Sequence, residues 1–332
     1  MPASVDPSQL SDLFAQHRQE ISIWEAACSA VEQVLSDIAR KAWTPARVEA
    51  RAKDSGSVLG KAMRENELDL RADCFRDLAG ARIVVPFDSS VPSIVEAIHG
   101  DERLEVIKED AKQPGPDQLT YRGVHLDVRL LPSEEFASDL LGVPVPLYCE
   151  VQVKTSAQSL WSEMSHLIAY KRDLPEPILR RVNRLVALCE LFDTEADSAM
   201  AAAREEGTDT AVIGAQLTRL FYGLTGRTLH AITDDSLLTE LVESIPAAER
   251  AAYPSTILRF VEDYFDRLRF ALTDEPEARK LPLLHRPESL LIFERLTYAP
   301  FIFSAYWGER YDPRTLDSLR SVWGTPATSA SD

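Results

Sequence analysis

Glu150-Val151-Gln152-Val153-Lys154-Thr155 is the stretch on which the reading of this chain turns. Successive side chains of an extended strand point to opposite faces, so Glu150, Gln152 and Lys154 share one face and Cys149, Val151 and Val153 share the other. The row sets a carboxylate, an amide and an ammonium side by side over an apolar underside. By itself it fits a half-exposed strand as well as a functional site. The residues around it decide between the two.

Working outward, Val145–Thr155 and Tyr121–Leu130 read as strands, parted by a loop carrying Pro132, Gly142, Pro144 and Pro146. Ala79–Pro86 and Leu104–Lys108 are further short strands, with a helix opened by Ser90 between them and a Pro/Gly loop over Lys112–Leu119. Apolar residues recur at helical spacing over Pro7–Ala42, Ser156–Lys171 and Pro175–Glu206. From Thr208 onward the pattern is helical, bounded by Gly207 and broken at Gly226, Pro254, Pro282 and Pro287. Strands in the middle and helices at both ends predict an α+β fold, a mixed β-sheet flanked by helices with a helical C-terminal extension. The expected divisions are a helical segment over 1–45, a central domain over 46–205 and a helical domain over 206–332.

The chain has 332 residues, 45% of them hydrophobic, and 36 basic against 53 acidic residues give a net charge of −17. So acidic a chain argues against a broad, sequence-independent grip on nucleic acid or on an anionic membrane, while leaving room for a local basic groove. Cys28, Cys74, Cys149 and Cys189 are widely spaced and suggest neither a disulfide framework nor a zinc site. The N-terminus lacks the pattern of a signal peptide and no run reaches membrane-spanning length, so a soluble, cytoplasmic protein without a membrane partner is expected.

Upstream of the opening strand, Arg51, Lys53, Ser57 and Lys61 gather around a helix start capped by Asp54-Ser55. A hydroxyl, backbone N–H groups and cations at the positive end of a helix suit a polyphosphate, although a basic solvated helix start has the same composition. Asp77, in Asp77-Leu78-Ala79-Gly80-Ala81-Arg82, lies just before the apolar strand. That position suits either a turn cap or a hard-metal ligand of the kind found beside nucleotides, and Gly80 allows a close backbone approach or an unusual turn. Tyr121, Gly123, His125 and Asp127 share the polar face of their strand, where an aromatic ring beside a Gly gap could stack a planar base or simply pack. Downstream, Glu163, His166 and Tyr170 fall on one helical face. A single ExxH pair is too little for a di-metal site and reads as a hydrogen-bonded face supporting the sheet.

In this order and spacing the motifs resemble the synthetase domain of RelA/SpoT-type enzymes, which make the alarmones ppGpp and pppGpp. The matching stretches are RxKxxxSxxxK at Arg51–Lys61, DLAGARI at Asp77–Ile83, YRGVH at Tyr121–His125, EVQVKT at Glu150–Thr155 and W…H…YK at Trp161–Lys171. The resemblance spans roughly residues 20–200. It implies a nucleotidyltransferase-like synthetase domain over 46–205 and a pyrophosphokinase that moves the β,γ-pyrophosphate of ATP to the 3′-hydroxyl of GDP or GTP. By the family pattern Arg51 and Arg82 flank the adenine, and Lys53, Ser57 and Lys61 bind the ATP phosphates. Asp77 and Glu150 hold Mg²⁺, with Glu150 also placed to accept the attacking hydroxyl's proton. Tyr121 stacks on the acceptor base, with Arg122, His125, Gln152 and Lys154 around its phosphates and ribose.

The chain departs from that pattern before the tyrosine, where Asp117-Gln118-Leu119-Thr120 carries neither the usual Gly nor a basic residue. Lys154 also stands where Arg is common, giving a point charge in place of a bidentate fork. These departures keep the tRNA 3′ end and adenine nucleotides open as acceptors. A non-catalytic nucleotide-sensing or partner-binding protein is a third reading. No hydrolase domain is expected in the short N-terminal segment, which suggests a synthetase-only member. The aromatic-rich stretches Tyr253–Leu272 and Tyr298–Tyr311 read as core, with a surface for homo-oligomerisation or a regulatory partner as the alternative.

Overall fold

A computed structural model describes residues 6–112, 123–131, 147–168, 175–205, 207–227, 236–276 and 280–324. The chain forms two compact units, Met1–Asp197 and Ser198–Asp332. The first contains α1 (Pro7–Lys41), β1 (Arg47–Ala52), α2 (Ser55–Glu65), β2 (Ala79–Val85), α3 (Val91–His99), β3 (Leu104–Lys112), β4 (Gly123–Leu130), β5 (Leu147–Thr155) and α4 (Ser156–Ile168), and the division between units falls inside α5 (Glu176–Glu205).

The five strands form one mixed sheet in the order β1-β2-β5-β4-β3. Only β2 and β5 pair in parallel; the other neighbours are antiparallel. One face is apolar. Ala79, Ala81, Ile83 and Val85 of β2, Leu126 and Val128 of β4, and Cys149, Val151 and Val153 of β5 are buried there in a core shared with α1 and α3. The alternation read from the sequence of β4 and β5 is thus the alternation of the folded sheet, because one apolar face must be covered and a slip of one residue would expose it.

The strand β1 was not anticipated. Its sequence, Arg-Val-Glu-Ala-Arg-Ala, alternates exposed and half-buried residues. It is rich in residues that favour helices, so only its pairing with β2 makes it a strand. Arg51 therefore projects from a sheet edge, and the helix expected around Ser57 begins only at Ser55. There the Asp54 carboxylate accepts from the Ser57 N–H at 2.9 Å, the cap the sequence suggested. Gly80 lies within β2, inside the expected strand, opposite Arg51 and Glu150, and of its two expected uses the turn is not made.

The second unit is helical: α6 (Asp209–Thr225), α7 (Ser236–Glu243), α8 (Ala247–Arg250), α9 (Tyr253–Asp263), α10 (Phe265–Arg269), α11 (Glu288–Tyr298), α12 (Pro300–Gly308) and α13 (Pro313–Trp323). Gly226 ends α6 in the left-handed conformation at φ 68°. The breaks expected at the prolines fall between elements, with each proline at the start of the next one. Pro254 sits in the first turn of α9 and Pro287 is the N-cap of α11, positions where a missing N–H costs nothing. Buried on nearly every side, α11 keeps its charged Glu294 paired with Arg295 at 2.6 Å and hydrogen-bonded by the Tyr253 hydroxyl at 2.6 Å. Of the aromatic stretch, Phe303 and Trp307 are core, whereas Phe301 is 87% exposed. Among the described residues, no helix is long and apolar enough to cross a membrane.

Candidate active site

The polar face of the sheet carries a cleft of about 1180 Å³, all within the first unit. Arg51 from β1, Arg82 from β2, His125 from β4 and Glu150, Gln152 and Lys154 from β5 line it, along with Lys53, Ser57 and Asp77. Register explains the convergence: paired residues in a ladder share a face. Arg51 pairs with Gly80, Gly80 with Glu150 and Glu150 with Asp127, forming one row across the sheet. The adjacent row runs Glu49, Arg82, Gln152, His125.

Along β5 the row is a hydrogen-bonded chain. His125 Nδ1 lies 2.9 Å from Glu150 Oε1, Gln152 Nε2 donates to the same oxygen at 3.1 Å, and Lys154 Nζ donates to Gln152 Oε1 at 2.7 Å. The His125 imidazole, helped by Gln152, holds the Glu150 carboxyl down at about 2 against the cost of burial. Glu150 is therefore an ionised, hard oxygen donor at any physiological pH. The same shift makes it a weak proton acceptor in this arrangement of side chains.

Lys154 is the residue that departs most from the sequence picture. It shares the polar face, yet it is only 1% exposed. Burial, with Arg82 close by, lowers its ammonium to about 8. The cover comes from α4, which starts directly after β5 and packs back over β5 and β2. An acceptor phosphate could meet Lys154 only from inside the cleft.

Asp77 sits at the sheet end, as expected. Lys53 Nζ contacts its Oδ2, and Lys61 Nζ lies 2.9 Å from its Oδ1. Two cations expected at ATP phosphates thus rest against a carboxylate expected at a metal. Asp77 and Glu150 line the same cleft, and among the described residues no cluster of three or more His, Cys, Asp or Glu could hold a metal without further donors. Two hard carboxylates completed by substrate oxygens and water are the donor set that Mg²⁺ takes beside nucleotides, and these residues fit it.

Tyr121 and Arg122 lie outside the described residues, as do Tyr170 and the side chain of His166. Glu163 is described: Arg82 Nη1 donates to its Oε1 at 3.1 Å, the helix-to-sheet contact that the sequence suggested. Sequence reasoning passed over Arg64 and Glu49, which also line the cleft, as does Trp161 of the W…H…YK motif. The signal for Arg64 was available, since it falls three residues after Lys61 on the helix face that begins at Ser57.

The polar face of this mixed sheet gathers several cations and two hard carboxylates in one cleft, and a family match falls on the same residues. Residues 50–174 match the model described as "Region found in RelA / SpoT proteins". It is 26% identical over 151 residues to GTP pyrophosphokinase YwaC of Bacillus subtilis (strain 168), across 43% of this chain and 68% of that protein. To GTP pyrophosphokinase YjbM of the same organism it is 25% identical over 150 residues, across 45% of this chain and 68% of that protein. Among solved structures, small alarmone synthetase 1 from Bacillus subtilis aligns with a TM-score of 0.49 at 21% identity, covering 57% of this chain and 98% of that one.

Proposed function

We propose that this chain is an ATP:nucleotide 3′-pyrophosphotransferase, moving the β,γ-pyrophosphate of ATP to the ribose 3′-hydroxyl of GDP or GTP. The observation that carries the reading is the gathering of Arg51, Lys53, Ser57, Asp77, Arg82 and Glu150 in one cleft inside the matched region. The names of the curated relatives point the same way.

The roles follow from charge and position. Arg51 and Arg82 are diagonal neighbours across the β1/β2 ladder, a spacing of roughly 7–8 Å that admits one planar base between two guanidinium faces. Lys53, Lys61 and Ser57 would bind the ATP phosphates from the start of α2. Asp77 and Glu150 would hold Mg²⁺, which when bound offsets negative charge on the phosphate oxygens. When nucleotide and metal enter, Lys53 and Lys61 are free to turn from Asp77 to phosphate, so charge stays balanced in both states. The acceptor side is the β4/β5 part of the row, with His125, Gln152 and Lys154 as contacts and Tyr121 and Arg122 adjoining it in sequence. The reaction forms a bond from the 3′-oxygen to the β-phosphorus of ATP, breaks the bond to the bridging α,β-oxygen and releases AMP, and the 3′-hydroxyl proton passes to solvent. The protein's part is alignment and charge neutralisation, since such transfers need little covalent help.

The test is incubation with ATP labelled in the β or γ phosphate, Mg²⁺ and, in separate reactions, GDP, GTP, adenine nucleotides or deacylated tRNA. Label on GDP or GTP supports the proposal. Label on tRNA alone, on an adenine nucleotide alone, or on nothing overturns it. Glu150→Gln should lower transfer by roughly a hundred-fold or more while leaving ATP affinity within a few-fold of wild type, as expected for a group that acts mainly in the transition state.

A further inference from the structure

Five carboxylates line the cleft: Glu49, Asp54, Asp77, Glu150 and Glu163. Four have evident work. Glu49 pairs with Arg47 at 3.0 Å, Asp54 caps α2, Asp77 meets two lysines, and Glu150 is held by His125 and Gln152. Glu163 alone comes from α4, and its partner is Arg82 at 3.1 Å.

The pairing has a geometric consequence. A guanidinium donates hydrogen bonds only from its edge and stacks only through its flat faces. A carboxylate on the edge restricts the plane and leaves the faces open. Arg51 is exposed on edge strand β1, whereas the Arg82 side chain is mostly buried and pinned by Glu163. Of the two guanidinium walls, one is thus restricted before any ligand arrives, and the other can close onto what has entered.

Resting on the reading above of Arg82 as a wall of the donor-base site, we infer that Glu163 is a positioning residue for the donor purine, holding Arg82 by its edge so that its face is presented to the base. Nothing in this role requires Glu163 to touch the nucleotide. It lowers the conformational cost of stacking by restricting Arg82 in advance.

The experiment measures the affinity of the full chain for ATP and, as a probe lacking the base, inorganic tripolyphosphate. Glu163→Ala should weaken ATP by roughly three- to five-fold, the range of a half-exposed ion pair, and leave tripolyphosphate unchanged. In turnover the loss should appear in the KM for ATP, with kcat and the acceptor KM within two-fold. Glu163→Gln, whose amide oxygen still accepts from Arg82, should recover most of the affinity. Because Glu163 acts through Arg82, the double variant Glu163→Ala/Arg82→Ala should bind ATP no more weakly than Arg82→Ala alone. If Arg82→Ala weakens ATP but Glu163→Ala binds it as wild type or more tightly, this inference alone is overturned. The same holds if the Glu163→Ala loss extends equally to tripolyphosphate or adds in full to that of Arg82→Ala. If Arg82→Ala itself leaves ATP affinity intact, the base-wall reading of Arg82 falls, and this inference with it.

Discussion

At the scale of single residues, the site depends on what is absent at Gly80 as much as on what is present at Glu150. Gly80 lies between Arg51 and Glu150 on the polar face, and a Cβ built there meets only the Arg51 carbonyl at an ordinary 3.9 Å. The fold does not need glycine at this position, since its backbone is plain strand. The cleft does, because any longer side chain would grow out of its floor. Gly80→Leu should therefore fold with a melting temperature close to wild type, as leucine suits a strand at least as well as glycine, yet weaken ATP by about ten-fold or more through steric exclusion. Thermal melting and nucleotide titration on the same sample check both halves. A variant that binds ATP normally would remove Gly80 from the cleft floor.

At the scale of elements, the opening strand is fastened at its far end. The hydroxyl of Thr155, the last residue of β5, donates to Asp193 Oδ2 on α5 at 2.8 Å and accepts from the Gln158 N–H of α4 at 3.1 Å. Asp193 is 6% exposed, and burial, with Asp88 and Asp197 nearby, raises its carboxyl to about 6 in spite of the Thr155 bond. A raised carboxyl means that the folded state holds this proton more tightly than the unfolded state. Its contribution to stability thus falls as pH rises from about 4 to about 6 and stays low above that. Asp193→Asn keeps an acceptor for Thr155 and removes the charge. It should be more stable than wild type at pH 8 by an amount on the order of 1–3 kcal/mol, and nearly equal to it at pH 4. Urea denaturation at the two pH values measures the difference; equal differences at both would show that Asp193 carries no buried charge. These elements also show what sequence could reveal. The β5 alternation and the Asp54 cap were legible because each depends on a local period or a short-range hydrogen bond. The strand β1, the burial of Lys154 and the partner of Thr155 were not, because they arise from pairing with β2, from the cover of α4 and from a helix 38 residues away.

At the scale of the whole molecule, charge distribution bears on which acceptor can be used. The chain carries a net charge of −17, yet the cleft and its margin gather Arg51, Lys53, Lys61, Arg64, Arg82 and Lys154. Five carboxylates line the same cleft, so it is close to charge balance while the rest of the chain keeps the acidic excess. A free nucleotide can meet these cations inside the cleft and needs no further contact. A tRNA would have to lay many phosphates beyond it, over a surface whose acidic residues outnumber its basic ones. Filter binding at about 150 mM salt, where screening has reduced but not abolished this repulsion, should therefore show no retention of deacylated tRNA. A ten-fold excess of tRNA over GDP should leave the rate of transfer from ATP to GDP unchanged. The ATP site, lined by cations, should weaken steadily as salt is raised further. Retention of tRNA at that salt, or its competition with GDP, would mean that the acceptor is chosen by local contacts strong enough to override the field of the whole chain.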